Sequence, residues 1–254
     1  ILYYIGIGPG HPFTKSAIAL KALSLALNKS ELPAAMSASH RPTSNLVPPE
    51  ISPAPFSKER ALDADIGRAQ TMLATAGFKE PRKVPVLKLL YFNRPAMAEL
   101  AQWVQAQWKK NLGLRVELEG HETKTYWTQL AKKPQAFFIN SKGAAYPDAD
   151  AFFRLFTQVE SGKSSQNLGH WQDAEYDRLI KRAAGAEALA ERKKIYAEAE
   201  DRLLELKHAL IPLYFRSTQY LAKPYVEGLV INPLTSITFE KVKYPPQAFR
   251  KSTK

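Results

Sequence analysis

The 254-residue chain has 45% hydrophobic and 24% charged residues, an ordinary soluble composition that allows one large core or two small ones. It has no cysteine, which excludes disulfides, zinc–thiolate sites and thiol catalysis, and no apolar run long enough to span a membrane. The formal net charge is +12, but the lysines and arginines are scattered beside Glu and Asp without interleaved aromatic residues, so we expect no nucleic-acid partner.

The N-terminal part of the chain predicts one strand, two helices and a long loop. Residues 1–8 (ILYYIGIG) predict a strand that ends in a Gly-Pro-Gly turn. Residues 15–28 and 65–76 predict helices, the second ended by Gly77. Residues 33–55 are rich in Pro and Ser and predict a surface loop whose apolar residues are covered. The residues expected to be buried here are Ile18, Ala22, Leu25, Ala26, Leu46, Val47 and Ile51.

Three strand–helix units follow. The predicted strands are 84–92, 114–119 and 136–139, and the predicted helices are 97–112, 124–132 and 149–156. Strands that alternate with helices at this spacing predict an α/β fold, with a mixed, mostly parallel sheet flanked by helices and right-handed crossovers. The helix residues expected to face the core are Met97, Leu100, Ala101, Val104, Trp108, Tyr126, Trp127 and Leu130.

The C-terminal part predicts two helices, a strand and a few short strands. The strand at 209–215 contains a proline, which places it near an edge or a hinge. Residues 220–244 predict two or three short strands, and residues 245–254 form a basic tail. The helix residues expected to be buried are Tyr176, Leu179, Ile180, Ala183, Ile195, Ala199, Leu203 and Leu206.

Catalytic and metal-binding patterns are scarce. The five histidines are far apart in the sequence and form no HxxxH or HExxH pair. The Gly6-x-Gly8-x-Gly10 run resembles a dinucleotide fingerprint only loosely, because prolines interrupt it. Asp148 and Asp150 are candidates for an acid–base pair, but charges at a helix N-terminus are the better interpretation. We therefore expect a non-enzyme with no metal and no cofactor.

The stretch 135–153 (QAFFINSKGAAYPDADAFF) carries the candidate site. It runs from an apolar strand through small residues to Tyr146-Pro147-Asp148, where Asp148 has the position of a helix N-cap. Ligands of open α/β sheets bind outside the carboxyl ends of the strands. The alternative is an ordinary strand–helix connection that binds nothing, and the stretch alone leaves both open.

Seven segments in order resemble the peptide-binding family of ABC-importer solute receptors, which includes oligopeptide-, dipeptide- and nickel-binding proteins. The resemblance covers residues 1 to about 244. It implies a periplasmic-binding-protein-like (type II) fold of two α/β lobes around a cleft, of which this chain matches only the second. The segments are KALSLALNKSEL, NLVPPE, DIGRAQTMLATAGF, WVQAQWKKNLGLRVEL, AAYPDADAFF, NLGHWQDAEYDRLI and ERKKIYAEAEDRLLELKHALIPLYF.

The resemblance also implies a division of the chain. Residues 1–216 would be the second, C-terminal lobe with both hinge strands, and residues 217–254 would pack on a first lobe. That first lobe is missing here. Because the chain starts at Ile1 inside a strand, without an initiator Met or signal peptide, we expect either a processed start or a fragment.

The candidate site departs from the family pattern at three positions. Relatives hold a peptide amino group with an aspartate where this chain has Ala145, and Lys142 replaces a common tryptophan. Ile5 stands where some relatives carry a glutamate. A buried unpaired ammonium is costly, so we expect no amino-terminal anchor of the usual kind. Lys142 is either an anion-binding residue or a solvated lysine. The candidate ligand-binding residues are Tyr3, Tyr4, Asn140, Ser141, Lys142, Gly143, Ala145, Tyr146, Asp148, Asn167 and Trp171.

The function implied is an extracytoplasmic solute-binding component of an ABC importer, periplasmic or anchored at the cell surface. Its expected partners are a peptide or another small anionic or amphipathic ligand, the missing first lobe (from an upstream segment or another chain) and a membrane permease. The alternative is an interaction or scaffold protein that keeps the lobe fold and binds a protein or a membrane surface through its positive charge.

Overall fold

The computed structural model of the chain describes residues 1–36, 40–54, 60–132, 135–158, 167–216, 220–232, 234 and 236–243. The predicted basic tail at 245–254 lies outside these residues. Within the described ranges, no helix is both long and apolar enough to cross a membrane.

The described strands form one six-stranded mixed sheet and a separate two-stranded sheet. Strand order in the main sheet is β2-β6-β1-β5-β3-β4. Strands β3, β4 and β5 are mutually parallel, and β6 runs in the same direction because both it and β5 are antiparallel to β1. The predicted α/β class with a mixed sheet is therefore confirmed, and β3, β4 and β5 are its parallel strands. The strands are β1 (Leu2–Ile7), β2 (Arg41–Pro42), β3 (Leu87–Phe92), β4 (Val116–His121), β5 (Phe137–Lys142), β6 (Leu210–Phe215), β7 (Val230–Ile231) and β8 (Ile237–Thr238).

Helices cover both faces of the main sheet. One core holds α1, α3 and α4 against one face, and a second holds α6, α7 and α8 against the other. Three layers of this kind bury both faces of a central sheet, which explains its nearly continuous apolar strands. The helices are α1 (Ala17–Leu25), α2 (Leu32–Ala35), α3 (Ile66–Thr75), α4 (Pro95–Leu112), α5 (Thr123–Lys132), α6 (Asp150–Phe153), α7 (Ala174–Gly185) and α8 (Leu189–Asp201).

Helix α4 shows how sequence pattern leads to packing. Its predicted apolar stripe is buried, and Trp108 is fully buried with its indole N–H donating to the Leu23 carbonyl of α1 at 2.9 Å. The helix ends at Gly113, whose φ of 67° is left-handed. A glycine adopts this conformation without steric cost, so it stops the helix and turns the chain into β4.

Two predicted core residues point to solvent instead. Ile18 is 43% exposed because α1 buries the neighbouring face that carries Leu20 and Leu23. Leu206 is 61% exposed, since α8 continues into a π-helical turn at Arg202–Leu206 that shifts side-chain directions away from the 3.6-residue period. Both predictions were wrong.

The predicted long loop is held on the lobe by a buried ion pair. Leu46, Val47 and Ile51 are buried as expected. The Leu46 N–H donates to Glu200 Oε1 at 2.6 Å, and Arg60 Nη1 donates to Glu200 Oε2 at 2.8 Å. The Glu200 side chain is fully buried and that of Arg60 is 7% exposed. The loop thus packs against the rest of the fold, and the short elements α2 and β2 lie at its start.

The predicted strand with a proline is β6, beside the two-residue strand β2 at the edge of the sheet. Pro212 pairs with Tyr4, next to a shift in register, which is the position that a residue without an N–H tolerates. After β6, the described part of residues 220–243 exposes several apolar side chains. Among them are Tyr220 (59% exposed), Leu221 (105%) and Phe239 (64%).

Candidate functional site at the carboxyl edge of the sheet

The carboxyl ends of β3, β4, β5 and β6 meet at one edge of the main sheet, together with the amino end of antiparallel β1. The register places Tyr3 beside Ser141 on one side and Tyr214 on the other, and Leu2 beside Lys142. The pairing of β1 with β5 therefore brings the predicted site residue Tyr3 close to the predicted site residues Ser141 and Lys142. This is the edge at which α/β sheets bind ligands.

Three aromatic rings form a continuous stack at this edge. The ring of Tyr3 lies 4.7 Å from that of Tyr214 at an interplanar angle of 10°, and the ring of His40 lies 4.5 Å from Tyr214 at 4°. Burial, followed by repulsion from Arg216, lowers the pKa of His40, which favours the neutral imidazole in the stack. Sequence reasoning found Tyr3 but missed His40 and Tyr214, because no local pattern shows that strands β1 and β6 are neighbours.

Tyr4 and Asn140 point to the opposite face and are both buried. The Asn140 side-chain amide donates to the Tyr4 hydroxyl at 3.0 Å, and the Asn140 side-chain oxygen accepts from the Ser141 N–H at 2.8 Å. Burial raises the pKa of Tyr4 well above its usual value. These two predicted site residues lie next to the edge, where they fix the end of β5.

The last residues of β5 and those that follow are partly open to solvent. Ser141 and Lys142 are half-buried, and Gly143 and Ala145 are exposed. Within the described residues, the Lys142 ammonium has no hydrogen-bonding or ion-pair partner. Burial alone lowers its pKa, as expected for a charge that has lost water without gaining a counter-charge.

The Asp148 carboxylate is hydrogen-bonded to other residues of the chain. It accepts from Arg192 Nη1 at 3.0 Å and Nη2 at 2.8 Å, a bidentate pair. It also accepts from the Asp150 N–H at 2.9 Å, but the N-cap of α6 is Ala149 and not Asp148 as predicted. The helix that follows is only the short α6, so it provides little dipole for a ligand. Asp148 thus anchors the loop to α8.

Tyr146 is 38% exposed, and its hydroxyl donates to Asp150 Oδ2 at 2.6 Å. Desolvation together with this carboxylate raises the pKa of Tyr146 to about 12. Its ring remains available at the surface of the loop. Asp148 is paired with Arg192 and Asp150 accepts a hydrogen bond from Tyr146, so each of the two aspartates has its own partner.

Asn167 and Trp171 belong to the turn that precedes α7. The Asn167 side chain donates to the Trp171 carbonyl at 2.5 Å and accepts from the Trp171 N–H at 3.0 Å. The Trp171 ring packs edge-on against Tyr176 at 4.9 Å. Both residues stabilise this turn through contacts within the chain.

The amino-acid sequence is similar to those of known solute-binding proteins. Residues 1–164 match the model of the bacterial extracellular solute-binding proteins, family 5 Middle. The chain is 29% identical over 210 residues to the probable deoxycholate-binding periplasmic protein YgiS of Escherichia coli, covering 80% of this chain and 38% of that protein. It is 32% identical over 163 residues to the periplasmic oligopeptide-binding protein OppA of Salmonella typhimurium, covering 63% of this chain and 28% of that protein.

Solved structures show the same fold. The murein tripeptide binding protein MppA of Escherichia coli superposes with a TM-score of 0.78 at 25% identity, covering 96% of this chain and 48% of that one. Haemophilus influenzae OppA, in complex with the peptide RPPGFSPFR, superposes with a TM-score of 0.76 at 22% identity, again covering 96% and 48%. The chain thus spans about half the length of these type II periplasmic binding proteins. It belongs to the family 5 bacterial extracellular solute-binding proteins.

Proposed function

We propose that this chain is one lobe of an extracytoplasmic solute-binding protein of an ABC importer. It binds a peptide or another small anionic or amphipathic ligand at the carboxyl edge of its main sheet. The observation that carries the proposal is the open edge formed by Tyr3, Ser141 and Lys142 in a chain of this family. The proposed role is ligand binding and presentation to a membrane permease, without catalysis.

In this proposal residues 1–216 are the second lobe, and β1 and β6 are the hinge strands. Support comes from the pairing of these two strands, because the Arg216 N–H donates to the Ile1 carbonyl at 2.8 Å. The chain therefore enters and leaves the lobe side by side, at the edge that would face a cleft. Residues 217–254 would pack on a first lobe, which agrees with the exposed Leu221 and Phe239.

The proposed ligand chemistry follows from two residues. Lys142 offers an ammonium with no counter-charge among the described residues, which favours a carboxylate or another anionic group. Ala145 offers no charge for a peptide amino group. The relatives are named for binding deoxycholate, an anionic amphipathic molecule, or peptides, so both ligand classes belong in the test.

The test is a nuclear magnetic resonance titration of the ¹⁵N-labelled chain with a tripeptide mixture and, separately, with deoxycholate. We expect saturable shifts at the amides of Tyr3, Ser141 and Gly143, weakened by Lys142→Met. Lys110→Met is the matched control, since Lys110 lies exposed at the far end of α4. Shifts elsewhere, or equal effects of the two variants, would reject the site and favour an interaction or scaffold protein.

A further inference from the structure

A second cavity lies away from the carboxyl edge. It has a volume of about 540 Å³ and is bordered by α1, the π-helical turn after α8, the part of β6 that β2 leaves unpaired, and the residues Ser44, Arg60, Ala61 and Asp63. Much of its wall is aliphatic, formed by Leu25, Leu27, Leu204, Leu206, Leu210 and Pro212. The charged side chains at its wall include Lys21, Lys29, Arg60, Arg68, Asp63, Asp201 and Glu205.

Most of these charges are already paired. Lys21 is bound to Glu205, and Arg60 lies 2.6 Å from Asp201 as well as beside Glu200. Two cations at the wall, Lys29 and Arg68, have no carboxylate within ion-pairing distance among the residues that the structure describes. Lys29 and Arg68 are therefore the two cations at this wall that could form an ion pair with a bound anion.

Lys29 is the important cation because it is only 3% exposed. Its ammonium donates to the Ser44 hydroxyl at 2.9 Å, and that hydroxyl in turn donates to the Ala61 carbonyl. An ammonium has three N–H donors, and the described residues accept from one of them. Burial lowers the pKa of Lys29 to about 7, an effect that attraction to Glu205 only partly opposes and that Arg60 reinforces.

A buried ammonium is stabilised when an anion takes up its free donors. The cavity has room for one beside Lys29, and its aliphatic wall suits an apolar group attached to that anion. We propose that this cavity binds a carboxylate that carries a short aliphatic group, with the carboxylate on the Lys29 ammonium and the aliphatic group against Leu25 and Leu204. This site is separate from the carboxyl edge, so its test is independent of the proposed import function.

The experiment follows the ¹³Cε resonance of Lys29 in the lysine-labelled chain during titration with sodium hexanoate. Sodium acetate, hexanol and inorganic phosphate are titrated separately. We expect saturable binding of hexanoate that raises the pKa of Lys29. Acetate should bind roughly tenfold or more weakly, because it lacks most of the apolar group, and hexanol should not saturate.

Two variants test the assignment. Lys29→Met should abolish hexanoate binding, whereas Lys110→Met should not change it. If Lys29→Met does not fold, Ser24→Leu keeps Lys29 but fills the cavity at a lining position, and it should also abolish binding. A Lys29 resonance unaffected by hexanoate would overturn the proposal. Phosphate binding as tight as hexanoate binding would also overturn it.

Discussion

Replacing Arg60 with methionine tests the buried ion pair that holds the long loop on the lobe. The Arg60 guanidinium bridges Glu200 and Asp201, at 2.8 and 2.6 Å. Methionine keeps part of the aliphatic stem but removes every N–H donor. Of the hydrogen-bond donors that the described residues provide to the Glu200 carboxylate, whose side chain is 0% exposed, the Leu46 N–H would then remain.

The expected loss of folding stability follows from the burial of the Arg60–Glu200 pair. Removing one partner of a buried ion pair destabilises a protein by about 3–5 kcal/mol, because the other charge stays desolvated. Arg41 provides the matched control, since it also makes a two-bond pair with a carboxylate, Glu50. The side chains of that pair are 46% and 52% exposed, and exposed pairs contribute only about 0–1 kcal/mol. We therefore expect Arg60→Met to lose several times more stability than Arg41→Met.

The assay is equilibrium unfolding in urea, with both variants compared at pH 7 and at pH 4. Burial already raises the pKa of Glu200 despite Arg60, and loss of Arg60 would raise it further. A carboxyl group with a raised pKa in the folded state destabilises the fold where it must ionise, so the penalty is largest at neutral pH. It decreases as the pH falls through this raised pKa towards the ordinary value of 4.5, and it is absent at lower pH. A loss below about 1 kcal/mol at pH 7, or an equal loss at both pH values, would refute this reasoning.

Three further predictions use the same unfolding assay. Gly113→Ala should cost about 1 kcal/mol, because the left-handed C-cap strains an alanine; an unchanged midpoint would contradict this. Leu221→Ser and Phe239→Ser should each change stability by less than about 0.5 kcal/mol, since both side chains are exposed; a larger loss would mean that they pack on this lobe. Burial lowers the pKa of His208 from 6.5 to about 4, so its stabilisation is present above pH 6.5 and is lost as the pH falls towards 4. His208→Gln should reduce that acid-induced loss by on the order of 3 kcal/mol, and an unchanged pH dependence would argue against it.

Much of the fold was predictable because its signals are local. The stripe of α4, the Gly113 stop and the alternation of strands and helices are all visible within short windows of sequence. The errors at Ile18 and Leu206 have a non-local cause. Which face of α1 is buried depends on where α3 and α4 pack, and the π-helical turn breaks the periodicity on which the Leu206 prediction relied.

The candidate site was predictable in position but not in detail. The strand, small-residue loop and helix start identified the edge of the sheet, and the register brings Tyr3 to Ser141. The partner of Asp148 is Arg192, 44 residues later in the chain, and no sequence spacing indicates that pair. The stack of His40 on Tyr214 likewise depends on strand order, which only tertiary structure determines.

The central claim of the proposal is that a ligand binds at the carboxyl edge when a first lobe closes over it. Calorimetry of this chain joined to a first lobe of the same family, titrated with peptide mixtures and with deoxycholate, measures that property. We expect saturable heat with at least one of these ligands, and an affinity that falls roughly tenfold or more in Lys142→Met and is unchanged in Lys110→Met. Absence of heat with every ligand, from a two-lobed protein that is folded, would contradict it.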